Sequence, residues 1–280
     1  MTATTAPATA PTAVPTRASG ARPVRDAVTM AWRNLLNLKR TPELVVFATI
    51  QPIIFVLMFV YVFGGAIGNS VGDTPYVDFL MPGVFVQTIV FGSLSTGVGL
   101  AEDLQKGLIS RFRSLPMARS AVLVGRTLAD FVRNAFVIML MSVVGFIVGW
   151  RIQTNVWGFL GAIGITLAFS YSLSWLFAII GLTTKNAETA QAASFPFLAV
   201  MVFASSAFVP VSSMPSWLQP WAEHQPVSVV INAARALTLG GDALNVGGDT
   251  LSLCLQAIAW IIGIIAVCAP LAVHFYRRAT

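Results

Sequence analysis

The residues able to do chemistry are few here, and their spacing argues against most reactions. Nucleotide hydrolysis of the P-loop kind needs G-x-x-x-x-G-K-[ST], with the lysine reaching the phosphates. The only lysines are Lys39, Lys106 and Lys185, and none follows a glycine. Metal chemistry needs ligands converging within a few ångströms. The only histidines, His224 and His274, fall on opposite membrane faces in the topology below, so no shared metal is expected. His224, in His-Gln-Pro, reads as a loop cap, and His274 as an interface residue. A nucleophile elbow needs serine at the centre of G-x-S-x-G; the run Gly92-Ser93-Leu94-Ser95-Thr96-Gly97 does not place one there. No catalytic residue is assigned. Ion-coupled transport places Asp or Glu inside membrane spans, whereas the 11 acids fall mostly in loops or at edges. Asp130 and Arg133, three apart on one helix face, read as a pair. Glu188 sits beside Lys185 and Asn186 in a short loop. Neither resembles a buried proton relay, so any driving energy points to a separate subunit.

Two segments carry more information. The first, Glu102 to Arg126, reads EDLQKGLISRFRSLPMARSAVLVGR; it is charged, helix-prone and cut by Pro116. It either holds the protein to anionic lipid or offers Glu102, Asp103, Arg111 and Arg113 to a groove on a soluble partner, with Gly107 allowing close approach. The second, Ser212 to Thr250, is the one long segment on the other face. Trp217 and Trp221 suit a membrane–water interface, and Pro210 and Pro226 prevent one long helix. Asn232 and Arg235 interrupt its second apolar stretch, and arginine at mid-bilayer costs roughly 2.5–3.5 kcal/mol on insertion scales. Two short helices that dip into the membrane without crossing are expected. Phe55, Phe59, Phe85, Phe91 and Tyr171 offer aromatic faces on which a planar molecule stacks, although core packing or lipid contact is the more ordinary explanation for such residues.

The elements that must position these residues follow from composition. Of 280 residues, 56 % are hydrophobic and 10 % charged, with a mean hydropathy of +0.78. Soluble domains carry about 25 % charged residues, and several runs reach the roughly 20 apolar residues that cross a bilayer as a helix. Such runs exclude an outer-membrane barrel, whose strands are short and alternating. The expected architecture is an all-α membrane protein with six transmembrane helices, near 44–63, 79–101, 132–150, 157–181, 193–211 and 251–275. Residues 1–23, rich in Ala, Thr and Pro, read as a disordered tail, and residues 24–280 as one membrane domain. Within residues 24–40, Val28, Ala31 and Trp32 recur at helical spacing opposite Arg25, Arg33 and Arg40. That pattern describes an amphipathic helix lying in the membrane surface.

Orientation follows from Lys and Arg. The N-terminal part, second loop, fourth loop and C-terminus hold 15 of them, and the intervening segments hold only Arg151 and Arg235. The positive-inside rule puts both termini in the cytoplasm of a multi-pass protein in the plasma (inner) membrane. This pattern also accounts for the net charge of +6 with no nucleic-acid partner. Cys254 and Cys268, 14 residues apart on the last span, cannot bridge within one helix and read as packing residues. Pro52, Pro196 and Pro270 mark kinks. Gly83, Gly92, Ser95, Thr96 and Gly99 make a small-residue face for close helix approach.

Four stretches carry a resemblance: YVFGGAIG at 61–68, YVDFLMPG at 76–83, the whole of 102–126, and SSAFVPVSSMPSWLQPWAEHQPVSVVINAARAL at 205–237. Taken together and in this order, they resemble the type-2 ABC transporter permeases, most closely the daunorubicin-resistance permeases of actinobacteria. The resemblance implies an exporter subunit that is not itself an enzyme and binds no cofactor. A second permease copy, in a homodimer or heterodimer, and two copies of a cytoplasmic ATPase subunit carrying ATP and Mg would complete it. It implies that residues 24–40 and about 102–119 dock the ATPase. Glu102, Asp103, Gly107, Arg111, Arg113 and Pro116 would be the coupling residues, and the loop before the last span a re-entrant outer gate. An amphipathic, anthracycline-like drug is the expected cargo, with a lipid or glycan precursor as the alternative. A membrane scaffold or enzyme, from another class, would need clustered polar groups that the sequence does not supply.

Overall fold

The computed structural model describes residues 28–32, 42–68, 74–107, 119–240 and 249–278. Every regular element among them is helical. Helix α1 (Pro42–Leu57) continues into a π turn (Met58–Val62) and the short α2 (Gly64–Ile67). Then come α3 (Tyr76–Gln105), α4 (Arg119–Val148), α5 (Val156–Thr183) and α6 (Ala187–Phe203). A 3-10 turn (Val211–Ser213), α7 (Gln219–His224), α8 (Pro226–Leu239) and α9 (Thr250–Arg278) complete the order.

Four helices, α3, α4, α5 and α9, are long and apolar enough to cross a bilayer. Helix α1 has 16 residues and its π turn 5 more; α6 has 17 and α8 has 14, against the roughly 20 of a full crossing. Two helices depart most from the sequence reading. The third apolar helix begins at Arg119 rather than near 132, one turn before the buried Leu123. The fifth begins at Ala187, capped by Asn186, whose side chain accepts from Thr189 N at 2.8 Å. It stops at Phe203, not 211, because residues 204–208 turn away to bind α8. Proline is accommodated inside α1, α3, α6 and α9 at Pro52, Pro82, Pro196 and Pro270, so none of these sites breaks its helix.

Helix α3 is the centre. Its residues from Phe79 to Val90 are buried without interruption, and α4, α5, α6 and α8 pack around it. It crosses α5 at glycine: a Cβ at Gly181 would fall on the backbone of Gly97, and a Cβ at Gly97 would meet the Phe177 carbonyl. Backbone-to-backbone approach of this kind substitutes for the hydrophobic drive that lipid does not supply. The bundle has two unlike ends. The loop end carries Tyr76, the 204–225 segment and α8. The basic end carries Gln105 and Arg126. At the basic end Leu100, Leu123, Trp175, Cys268 and Ala272 form a second core, and Met30 packs into it. Residues 28–32 are helical, with Met30 and Ala31 buried and Val28 and Trp32 exposed; Arg25, Arg33 and Arg40 lie outside the described residues. Cys254 and Cys268 are both free thiols.

Candidate functional site

At the loop end, α8 delivers Arg235 into the protein interior, where it is 1 % exposed. Its Nε donates to the Phe79 carbonyl at 2.8 Å, and one Nη donates to the carbonyls of Ser206 at 2.6 Å and Ala207 at 3.1 Å. The other Nη lies 3.4 Å from Asn232 Oδ1, and the guanidinium carbon sits 3.5 Å from the centre of the Phe79 ring. No carboxylate pairs with it among the described residues. Carbonyl dipoles and the negative face of a ring therefore replace the counter-ion. The same turn is held from other sides. Tyr76 Oη donates to the Phe208 carbonyl at 2.9 Å, Ser206 N to Ser228 Oγ at 3.0 Å, and Gln225 Nε2 to the Ala204 carbonyl at 2.8 Å. Gly83 lies so close to Ala207 that a Cβ there would collide with its backbone. Asp78, 3 % exposed, accepts from Arg151 N at 2.8 Å and Gln153 Nε2 at 3.2 Å. Gln153 N in turn donates to the Thr238 carbonyl at 2.9 Å. The last turn of α8 is thus tied to the loop before α5, and its middle to α3.

The residues expected from the sequence to form an outer gate lie between the 204–208 turn and the first residue of α8. Pro210 precedes the 3-10 turn, and Pro226 is the first residue of α8, where proline's missing N–H loses nothing. Trp217 and Trp221 point outward, 78 % and 41 % exposed. His224 ends α7 with its Nδ1 2.8 Å from the Pro220 carbonyl.

Beside the lock, rings from three segments gather. Phe59 stacks on Phe208 at 4.5 Å between centroids, and Phe55 lies 6.0 Å from Phe59 and 5.9 Å from Phe208. Phe63 and Phe203 extend the cluster, at 5.4 Å from Phe59 and 5.8 Å from Phe208. Both are exposed, so the cluster has an open face. Phe85 stands apart: it is buried and meets Trp150 edge-on at 5.3 Å. Phe91 leans on Phe195 at 6.2 Å, and Tyr171 on Trp175 at 6.1 Å.

At the basic end, charges form a ladder between α3 and α4. The exposed Glu102 pairs with Lys106 at 3.1 Å, and the half-buried Asp103 with Arg126 at 3.0 Å. Arg126 also lies 3.4 Å from the Ser95 carbonyl. Deeper in the bundle, Asp130 accepts from Ser95 and Thr96 and pairs with Arg133 at 3.1 Å. Arg133 donates to the Gly92 carbonyl at 2.6 Å, and Asn134 Nδ2 donates to Ser170 Oγ on α5 at 2.6 Å. Gly107 closes α3 with φ 64°, a left-handed conformation that glycine adopts without penalty. Arg111, Arg113 and Pro116 lie outside the described residues. The sequence reading paired Asp130 with Arg133 but missed the rest of the ladder. Its signal was three polar residues, Asp130, Arg133 and Asn134, on one face of α4. It also missed Asp78, whose partners are some 70 residues away.

Membrane-length apolar helices around a locked hairpin describe a polytopic membrane protein. Residues 25–239 match the ABC-2 type transporter family, and the chain belongs to that family, whose members are permease subunits rather than catalytic enzymes and work with a cytoplasmic ATPase. Among its relatives is the daunorubicin resistance ABC transporter permease protein DrrB1 of Streptomyces coeruleorubidus. It is 34 % identical over 266 residues, covering 93 % of this chain and 90 % of the relative. A probable doxorubicin resistance permease, DrrC, of Mycobacterium tuberculosis is 27 % identical over 273 residues, or 97 % and 96 % of the two chains. The doxorubicin resistance permease DrrB of the same organism is 25 % identical over 230 residues, or 78 % and 77 %.

Proposed function

We propose that this chain is the membrane subunit of an ATP-driven exporter that moves amphipathic, anthracycline-like drugs out of the cell. The observation that carries this reading is the match, over nearly its full length, to the daunorubicin resistance permease. The open aromatic cluster of Phe55, Phe59 and Phe203 fits a planar cargo, since rings stack at centroid distances of about 4.5–7 Å. In this reading the chain crosses the membrane six times with both termini cytoplasmic, α1 with its π turn and α6 serving as the short crossings. The α7–α8 segment is re-entrant at the outer mouth. Two permease copies, alike or different, pair with two ATPase subunits, which bind ATP and Mg.

Coupling runs through the basic end. Glu102 and Asp103 lie on the last turn of α3 itself, so a push from the ATPase on residues 102–119 reaches the central helix directly. ATP binding then favours one of two bundle states that differ in affinity for cargo.

The test is ATP-dependent daunorubicin uptake into inverted membrane vesicles that contain this chain and the ABC ATPase it co-purifies with. Uptake is expected only when both subunits and ATP are present. Reversing charge in Glu102→Lys should lower ATPase association and uptake at least threefold without loss of folded protein. Uptake without any ATPase, or labelling of residues 102–119 from the outer face, would overturn the reading.

A further inference from the structure

Two glycines near the basic end of α3 are points of close approach, and they admit different things. A Cβ at Gly97 would meet the backbone of α5, which is ordinary packing between membrane helices. A Cβ at Gly99 would meet the Arg126 guanidinium first: its three nearest atoms are Nη2, Cζ and Nη1 of that one side chain. Gly99 is buried inside α3, where glycine is less stable than alanine. The missing side chain leaves a notch in α3, and an arginine from α4 fills it.

The helix aims two acceptors at this notch. Side chains on a helix lean toward its N-terminus, so Asp103 reaches back over the turn that holds Gly99. Ser95, one turn earlier, points its carbonyl forward to the same place. Arg126 Nη1 donates to Asp103 Oδ2 at 3.0 Å, and Nη2 lies 3.4 Å from the Ser95 carbonyl. The Arg126 and Asp103 side chains keep 21 % and 18 % of their exposure, so packing does not clamp either. Helix α3 ends at Gln105 and α4 begins at Arg119. The contact therefore sits at the base of the segment on which the ATPase is proposed to push.

We infer that Arg126, resting in the Gly99 notch, is the pivot of the coupling stroke. It is a positioning residue that keeps the two roots of the coupling segment together while α3 and α4 turn against each other. A notch with an acceptor on each side lets the guanidinium slide between Ser95 and Asp103 without leaving α3. Any side chain at residue 99 would lever the arginine, and α4 with it, off that track. Without the arginine the two roots would splay, and a push on residues 102–119 would be absorbed at the loop. The pivot deepens the export reading and rests on it for the source of the push.

The test uses the full-length chain with its ABC ATPase in inverted membrane vesicles, and reads daunorubicin moved per ATP hydrolysed. Gly99→Ala keeps both charges and suits a helix better than glycine, so the variant should fold and hold its ATPase. The ratio should nevertheless fall about fivefold, within the usual range of coupling losses. Arg126→Gln should lower it by a similar factor. The double variant discriminates: with the arginine gone the notch has nothing to hold, so Gly99→Ala should add no further loss to Arg126→Gln. Two separate structural roles would instead multiply. Because the Asp103–Arg126 pair is half-buried, unfolding midpoints should barely move. An unchanged ratio in Gly99→Ala, multiplied losses in the double variant, or loss of the ATPase from the complex overturns the inference. The export reading is checked on the unaltered chain. If that chain moves no daunorubicin but changes the hydrolysis rate of the ATPase, the cargo reading falls, and the same three variants are scored on that change. If it does neither, both readings fall.

Discussion

Arg235 at the loop end and Arg133 at the basic end are both arginines inside an apolar bundle, yet they are held in opposite ways. Arg235 is enclosed by backbone carbonyls and one phenylalanine ring. Arg133 also reaches one carbonyl, that of Gly92, but it is neutralised by Asp130 on its own helix, one step of a ladder that continues through Ser95 to the Asp103–Arg126 pair. A carbonyl cage is built from the fold itself and exists only when α3, the 204–208 turn and α8 are all in place. Loss of any one strands both the cation and the carbonyls. The Asp103–Arg126 rung joins α3 to α4 through two side chains with rotamer freedom, so the two helices can shift there while the charges remain near one another. The loop end is thus a fixed frame, and the basic end, where the ATPase is proposed to act, is an adjustable one.

The largest expected effect tests the cage. Arg235→Met removes the cation and leaves the carbonyls of Ser206 and Ala207 without its donors, and that of Phe79 with its helical bond alone, at a cost of about 3–5 kcal/mol. Thermal unfolding in detergent should show a marked loss of midpoint. Arg235→Lys should recover only part of it, because an ammonium lacks the planar fork that reaches three acceptors.

A smaller effect is expected deeper in the ladder. Asp130→Asn keeps the shape and still accepts from Ser95 and Thr96, but leaves Arg133 without its charge partner, for about 1–3 kcal/mol. A midpoint loss equal to that of Arg235→Met would erase the distinction between the two ends. The least effect belongs to the half-buried rung. In a double-mutant cycle, Asp103→Asn and Arg126→Gln should couple by about 1 kcal/mol or less, and the coupling should fade in high salt. Coupling that persists in salt would mean that this end is as rigid as the other.

Much of the architecture was legible in the residues. Runs of apolar sequence marked all of the long helices, because a segment that must satisfy its own backbone in lipid has to be helical. Arg235 was read as an obstacle to a full crossing; the helix that carries it has 14 residues. Its partners were not legible. Phe79 lies 156 positions away, and a carbonyl has no signature in sequence, since every residue carries one. The end of α6 was misplaced for a related reason. Residues 204–211 are as apolar as the helix before them, and only the demands of Arg235, Tyr76 and Gln225 on their carbonyls turn the chain there. Aromatic residues were equally ambiguous: Phe59 and Phe85 look alike in sequence, but one joins an open cluster and the other is enclosed against Trp150.

The sequence by itself determined that the chain lives in a membrane, where its long helices fall, which segments carry the basic charge and which family it belongs to. These are properties of composition and local order, read one segment at a time. Beyond the Asp130–Arg133 pair within one helix, tertiary structure alone decided which polar groups meet. The cage around Arg235 and the ladder from Asp103 to Ser170 both depend on helices distant in sequence lying a few ångströms apart, and hydrogen bonds and ion pairs are made or lost over that distance.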